Sequence, residues 1–304
     1  MKLQWALLCV FILYMQDKTT ACDVCGCSVS GQNFGIIPKF HQHFAGLRYS
    51  YKSFASTHPP LLSTETETYS REYFSNVELW SRVRIGEKFQ LFAFIPYSFI
   101  SKVTSTSKYI NNGPGDVSVT GMYSVINQKI STDGKMIHNL QMGGGIKLPT
   151  GDNSFETDEG WLPSIQSGTG TVDFFANINY ILRFNNAGFQ TEAGYRINTF
   201  NKPQDFRFGN RLNFSMRSFY IHHIRKSDII TSAGVLVENA QSNFHEGVLN
   251  ELSGGNSVFG QLGIDFIYGN TGFGTSFSIP LYDNMAEGNV RSKPRIQAQA
   301  LYFF

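Results

Sequence analysis

The feature that most restricts this chain is a period of two. In Val77-Glu78-Leu79-Trp80-Ser81-Arg82-Val83-Arg84 the apolar residues are read on one face and Glu78, Arg82 and Arg84 on the other. The same split runs through Val172-Asp173-Phe174-Phe175-Ala176-Asn177-Ile178-Asn179-Tyr180, Leu212-Asn213-Phe214-Ser215-Met216-Arg217 and Leu262-Gly263-Ile264-Asp265-Phe266. Side chains alternate across a strand, so such segments have one face for hydrocarbon and one for water. Helical periodicity is nearly absent. Beyond residues 3–15, no uncharged apolar run is long enough for a membrane helix.

Composition sharpens the point. The 304 residues include 27 Phe and 14 Tyr, while only 16% are charged. So many apolar side chains would keep a water-exposed protein poorly soluble. A membrane barrel removes the conflict, because lipid-facing and lumen-facing residues alternate and the average is unremarkable. The expected fold is therefore all-β: one up-and-down antiparallel transmembrane β-barrel. About twelve strands are predicted, centred near Tyr49, Leu79, Phe94, Val119, Met142, Phe174, Ala193, Phe214, Val235, Ile264, Phe277 and Ala300. The net charge of +2 carries no basic stripe, which argues against nucleic acid as a partner.

The connections supply a second test. Gly86-Glu87-Lys88, Asn185-Asn186-Ala187 and Gly269-Asn270-Thr271-Gly272 are tight and turn-like. Segments 55–67, 103–114, 149–165, 240–256 and 282–293 are long and polar. Outer-membrane barrels pair short periplasmic turns with long external loops, so this rhythm places both ends of the chain on the periplasmic side. His222-His223-Ile224-Arg225-Lys226 reads as a solvated periplasmic turn.

Residues 1–21, with Lys2, an apolar stretch from Leu3 to Met15 and Thr19-Thr20-Ala21, have the layout of a cleaved export signal. The expected organisation is a signal peptide at 1–21, a cysteine-bearing periplasmic segment at 22–42 and the barrel at 43–304, in the outer membrane of a Gram-negative-type bacterium. Cys22, Cys25 and Cys27 form C-x-x-C-x-C, with His41 and His43 following. Three readings of this head stand: lipidation of Cys22, a disulfide with one thiol left over, or a soft metal such as copper bound by these sulfurs and imidazoles. No cofactor is otherwise expected.

By alternation the lumen face carries Arg48, Lys52, Glu78, Arg82, Arg84, Asp173, Arg183, Glu192, Arg196, Arg211, Arg217, Glu238 and Asp265. Arginine is in excess, which in an open lumen favours anionic or polar solutes. About twelve strands lie between barrels that side chains fill and barrels that hold a water channel, so the count does not say which. No His is followed by Ser two residues later, as in barrel phospholipases, and no G-x-S-x-G is present. A non-enzyme is expected. Expected partners are outer-membrane lipids, a small-molecule solute and, through the aromatic-ended segment Arg295–Phe304, the barrel-assembly machinery.

Three further segments have a fixed order: Gly113-Pro114-Gly115-Asp116, then Gly143-Gly144-Gly145-Ile146-Lys147-Leu148-Pro149-Thr150-Gly151-Asp152, then Ser167-Gly168-Thr169-Gly170-Thr171-Val172-Asp173. Over roughly residues 70–304 the chain resembles the outer-membrane proteins of the meta-pathway of phenol degradation, whose pattern runs G-x-G-D, K-L-P-T-G, G-x-G-x-x-D. The C-x-x-C-x-C head resembles a Bacteroidota subgroup. The resemblance implies a barrel with a transport role and names no cargo; hydrophobic or aromatic compounds are one class it admits. The glycines themselves read as places where a strand bends or another segment comes close. Two functional expectations go with them: the 149–165 loop folds into the lumen with Trp161 as a candidate gate, and a lateral opening lies near 143–145. The alternative to transport is a plugged structural barrel whose head binds metal or is redox-active.

Overall fold

The computed structural model describes residues 42–58, 67–128 and 136–304. Twelve long strands form the wall: β1 Phe44–His58, β2 Thr68–Ile85, β3 Phe89–Thr104, β4 Ser118–Asn127, β5 Met136–Lys147 and β6 Asp173–Phe184. The second half is β7 Ala187–Ile197, β8 Arg211–Ile224, β9 Ser227–Ala240, β10 Gly255–Tyr268, β11 Thr271–Met285 and β12 Arg295–Phe303. Each predicted centre falls in one of these strands. Every strand pairs antiparallel with its sequence neighbours, and β12 returns to β1 from Phe44↔Phe303 to Tyr51↔Ile296, which closes the barrel.

At one end the strands turn tightly at 86–88, 185–186, 225–226 and 269–270. The positive φ these turns need is taken by Gly86 (66°), Asn185 (51°), Arg225 (54°) and Gly269 (54°). The 128–135 connection lies largely outside the described residues. At the other end the connections are long. A short hairpin arm, Lys108–Pro114, extends β3, and Val290–Ser292 extends the β1 edge. One long connection escapes the sequence reading. Residues 198–210 do carry turn formers, Asn201, Pro203, Asp205 and Gly209 among them, but their Phe200, Phe206 and Phe208 blend into the flanking strand pattern. In the structure Phe206–Arg207 joins Asn243–His245 and Val248–Asn250 in a small sheet above the rim.

The two faces of the wall separate by chemistry. Leu79, Val83, Ile95, Ile178, Leu262, Phe266 and Phe273 stand exposed on the outside. A continuous apolar exterior is what hydrocarbon accepts and water does not. No helix among the described residues is long and apolar enough to cross a membrane. Arginine in place of Leu262, 59% exposed mid-strand on β10, is expected to lower bilayer-refolded stability by about 2–4 kcal/mol. The same change at its inward neighbour Gln261 should cost far less. Urea unfolding from lipid vesicles reads the difference, and equal costs would mean that the faces are misassigned.

The interior is not uniformly polar. At the tight-turn end Phe44, Trp80, Phe92, Phe94, Met122, Leu301 and Phe303 pack into one buried cluster inside the wall, and Ile181, Phe219, Ile221, Ile230 and Ile267 form a second. Trp80 stands edge-on to Phe44 at 4.5 Å and stacks on Phe94 at 6.0 Å. This corrects the sequence reading of β2. Trp80, 1% exposed, shares the inward face with Glu78 and Arg82, while Val77, Leu79 and Val83 face out.

Candidate functional site

The lumen is polar in its middle and apolar at both ends. Just above the lower aromatic layer, the Arg48 guanidinium donates to Glu78 Oε1 at 3.1 Å and lies 3.8 Å over the Trp80 ring. Register places the pair directly opposite each other on β1 and β2. Higher on the same wall, Lys102 Nζ stands 3.9 Å from Glu72 Oε1. Across the lumen Arg295 makes two 2.9 Å bonds from Nη1 to the carboxylate oxygens of Glu238, with its guanidinium 3.8 Å over Phe259. Asp265 accepts from Gln299 at 3.3 Å.

The three glycine-bearing motifs, distant in sequence, meet at one point. Lys147, the last residue of β5, lies 2.9 Å from Asp116 Oδ2 and 2.6 Å from Asp173 Oδ2, and its ammonium also donates to Thr169 Oγ1. Asp116 Oδ2 accepts from Thr169 N and Oγ1, both at 2.9 Å, and Asp116 Oδ1 accepts from Gly151 N at 2.9 Å. Thr171 Oγ1 donates to Asp173 Oδ1 at 2.9 Å, and Thr199 N donates to the same oxygen at 3.1 Å. Thus each motif contributes one charge: Asp116 from the first, Lys147 from the second, Asp173 from the third. Two glycines permit the convergence. A Cβ on Gly168 would meet Gly151 carbonyl carbon at 2.5 Å, and one on Gly151 would meet Gly168 Cα at 2.7 Å.

This knot holds the 148–172 connection inside the external mouth. Leu162 and Ile165 pack on Phe54, Phe74 and Ile100, which are inward-facing residues of β1, β2 and β3. Asn111 Nδ2 donates to Ile165 O at 2.9 Å. Gln166 staples the loop to itself: its Nε2 donates to Phe155 O (2.8 Å) and Leu162 O (3.0 Å), and its Oε1 accepts from Phe155 N. At the start of the same loop, hydrogen bonds from Ser154 Oγ and N hold the Asp152 carboxyl below its usual range. Tyr109 Oη lies 2.6 Å from Asp158 Oδ1; this bond pushes the phenol up to about 12.

The loop therefore enters the lumen, but Trp161 does not lead it. Its Nε1 donates to Asn153 O at 2.8 Å and its ring stands edge-on to Phe206 at 5.6 Å, in the external rim. The apolar plug is Leu162 and Ile165. The wall at 143–145 is also continuous: Gly143, Gly144 and Gly145 pair with Met122, Gly121 and Thr120 on one side and with Asn177, Ala176 and Phe175 on the other.

Of the residues expected in the lumen, Arg48, Glu78, Arg82, Asp173, Glu192, Arg196 and Arg217 are buried inside it. Arg211, Glu238 and Lys52 line its cavity. Arg84 sits at the tight-turn mouth, donating to Glu87 O at 3.0 Å, and Arg183 folds onto its own turn at Asn185 O. His43 stacks on Phe304 at 5.7 Å and its Nδ1 accepts from Arg84 N at 3.2 Å. Cys22, Cys25, Cys27 and His41 lie outside the described residues, and among the described residues no cluster of metal-ligating side chains occurs. Alternation does mark Lys147, Glu72, Lys102 and Arg295 as inward, but only once the strands are extended to their true ends. Asp116 lies in a connection, where alternation gives no phase.

Between the apolar layers lies a cavity of about 110 Å³, room for several waters. It is lined on β7, β8, β9 and β12 by Glu192, Arg196, Arg211, Arg217, Glu238 and Arg295, and on β1 by Lys52. A smaller one of about 20 Å³ sits beside the knot, between Ser98, Asp116, Lys147 and Arg196.

No family model matches the chain, and no curated protein does. Among solved structures it is similar to an outer membrane channel from Pseudomonas putida F1. The TM-score is 0.65 at 10% identity, covering 89% of this chain and 100% of that one. The β domain of the Bordetella autotransporter BrkA gives 0.49 at 10% identity, covering 86% and 100%. A FadL homologue of Pseudomonas aeruginosa gives 0.40 at 10% identity, covering 86% and 90%. The first of these likenesses gives the fold as that of an outer-membrane barrel. The resemblance to the phenol meta-pathway proteins expected from the three motifs is not matched by a family model.

Proposed function

We propose that this protein is a gated outer-membrane channel for small polar solutes. The observation that carries the reading is the cavity of about 110 Å³ inside the wall, in a lumen that an inward-folded loop narrows toward one end and an aromatic layer fills toward the other. A barrel built only as a scaffold has no need of a charged, water-sized space at mid-height. A loop tied in by a compact polar knot is an element with two states, seated and released, and a solute that binds better to the released state shifts the balance. The polar lumen and the unbroken ladder at 143–145 favour axial passage of polar solutes over lateral exit of hydrophobic ones. The similar channel of Pseudomonas putida F1 and the motif resemblance point the same way. The chain acts here as a non-enzyme, exported to the outer membrane, with lipids around the wall and the assembly machinery reading the aromatic end of β12.

The test is conductance of the refolded protein in planar bilayers, for the wild type and for a variant with residues 156–166 replaced by a short Gly-Ser linker. The wild type is expected to conduct in brief, small events and the variant to hold open at several-fold higher conductance. Heat-modifiable migration of the variant in gels shows that its barrel is intact. Silence from a variant that passes that control overturns the reading.

A further inference from the structure

We infer that the outer face of β1 to β3, at its external end, is a docking site for the phosphate-bearing headgroup of an outer-leaflet lipid. The inference rests on the outer-membrane part of the proposed function and not on its channel part. One ladder row carries it. Ala55 on β1 pairs with Arg291 on one side and with Arg71 of β2 on the other. Arg71 pairs onward with Val103 of β3, and Val103 with Lys108 of the hairpin arm. Phe54, Phe74, Ile100 and Tyr109 pack together in the lumen, so by strand alternation Ala55, Arg71, Val103 and Lys108 point out. Arg71, Lys108 and Arg291 are exposed, with the shorter Ala55 and Val103 between them. Lys293, also exposed, follows close by, its main chain donating to Ser53 O at 3.0 Å.

Height on the wall decides what these cations meet. Below Arg71 the outward residues of β2 run from Tyr73 through Val77 and Leu79 to Val83. At about 3.3 Å per residue and a tilt near 40°, that stretch rises about 25 Å, the height of the apolar band of such barrels. Tyr49, Tyr97 and Phe99 face outward beside it, the last two with rings 5.1 Å apart, as in an interfacial girdle. Arg71 therefore stands just above the girdle, at headgroup level. The charge is confined to this wall. The outermost outward residues of β5 to β10 are Ile146, Phe174, Ile197, Leu212, Asn239 and Asn256, none of them charged.

Among the described residues, Glu67 and Glu287 set two negative charges at this rim against the four positive ones, and Glu67 already accepts from Tyr69 Oη at 2.9 Å. Glu72 faces Lys102 inside the lumen, and Asp158 and Glu159 lie at Tyr109 Oη on the lumen side. Neighbouring strands are about 4.8 Å apart, so Arg71 stands about 10 Å from Arg291 and from Lys108. Two such long side chains can close on one phosphate from either side. A phosphate between them replaces repulsion with attraction, and each guanidinium offers paired N–H donors to its oxygens. Acyl chains would then lie along the apolar wall below, which suits a lipid and not a soluble acidic partner.

The test titrates the full-length protein in uncharged detergent, by thermophoresis, with diphosphorylated lipid A, with the same lipid stripped of its phosphates, and with inorganic phosphate. Saturable binding is expected for the phosphorylated lipid, and binding weaker by about tenfold or more for the other two probes. In Arg71→Gln/Arg291→Gln the affinity for the phosphorylated lipid should fall by about tenfold or more, the scale for losing charge-assisted hydrogen bonds. Arg225→Gln/Lys226→Gln removes the same charge at the tight-turn end and should bind as the wild type does. Heat-modifiable migration shows that both variant barrels are intact. Equal affinity for the stripped lipid, or an equal loss in the two variants, overturns the site. Saturation by inorganic phosphate at the concentrations that suffice for the lipid overturns the lipid as its occupant. Conductance on the same preparation separates the two ideas. Phosphate-dependent binding without current keeps the lipid site and removes the channel; current without such binding keeps the channel and removes the site.

Discussion

Replacing Lys147 with Met is expected to lower barrel stability by about 3–5 kcal/mol and to release the inward loop. The magnitude follows from what remains behind. Lys147, Asp116 and Asp173 are almost completely buried, with side-chain exposures of 5% or less. Removing one partner from a buried ion cluster leaves the others desolvated and uncompensated, which costs far more than the net worth of the pair. Here two carboxylates would face each other across the space the ammonium had filled. Asp116 also binds Thr169 N and Gly151 N, so its displacement unfastens the loop at two backbone points. Urea unfolding in lipid vesicles and single-channel recording are the paired measurements. Lys147→Met/Asp173→Asn, with one negative charge fewer, should recover part of the stability; if it is no better than the single variant, charge is not what holds the knot. A stable, fully closed Lys147→Met barrel would mean that the loop is seated by Leu162 and Ile165 alone.

The second large effect is expected at Gly143→Val, which should prevent assembly of a heat-resistant barrel. On β5 a Cβ at Gly143 would come to 2.0 Å from Gly121 O and 2.8 Å from Met122 Cα. These are backbone atoms of the paired strand, so no rotamer change relieves the contact. Gly145 repeats the situation two residues on, 2.3 Å from Val119 O. Where side chains are absent at alternate positions, β4 and β5 approach more closely than a side-chain-bearing ladder allows. The control is Gly260→Ala on β10, whose nearest neighbour would be a Leu281 methyl carbon at 3.4 Å, an ordinary contact. Refolding yield by heat-modifiable migration should collapse for Gly143→Val and stay near wild type for Gly260→Ala. Equal yields would show that the ladder can slide apart to admit the side chain.

The wall of this barrel is legible in the sequence because its physics is local. Strand period and turn chemistry act over a few residues, so Gly86, Asn185 and Gly269 mark turns without reference to the rest of the chain. The lumen is legible only in part. Alternation assigns a face, and for Arg48, Glu78, Arg196 and Arg217 the face decides the surroundings. It does not say that apolar means outward. Trp80, Phe92 and Phe94 point inward, where they pack with Phe44, Met122, Leu301 and Phe303 from other strands, and nothing in β2 or β3 alone carries that packing. The knot was the least accessible. Asp116, Lys147 and Asp173 each have a plain structural reading, and only the closed ring of strands brings them together. The motif order signals that the three segments belong to one pattern but not that their charges touch.

The seam between β1 and β12 has a consequence for how the protein is made. Phe44 pairs with Phe303, and the His43 and Phe304 main chains exchange hydrogen bonds at 3.1 and 3.0 Å. The contacts that close the wall are thus among those most distant in sequence, and closing so large a loop is slow. Until it closes, the growing sheet carries two bare edges, each able to pair with another chain. Time spent in that half-built form, rather than the strength of the finished wall, sets how readily the protein is lost to aggregation, and it gives the seam residues a kinetic weight beyond their contribution to equilibrium stability.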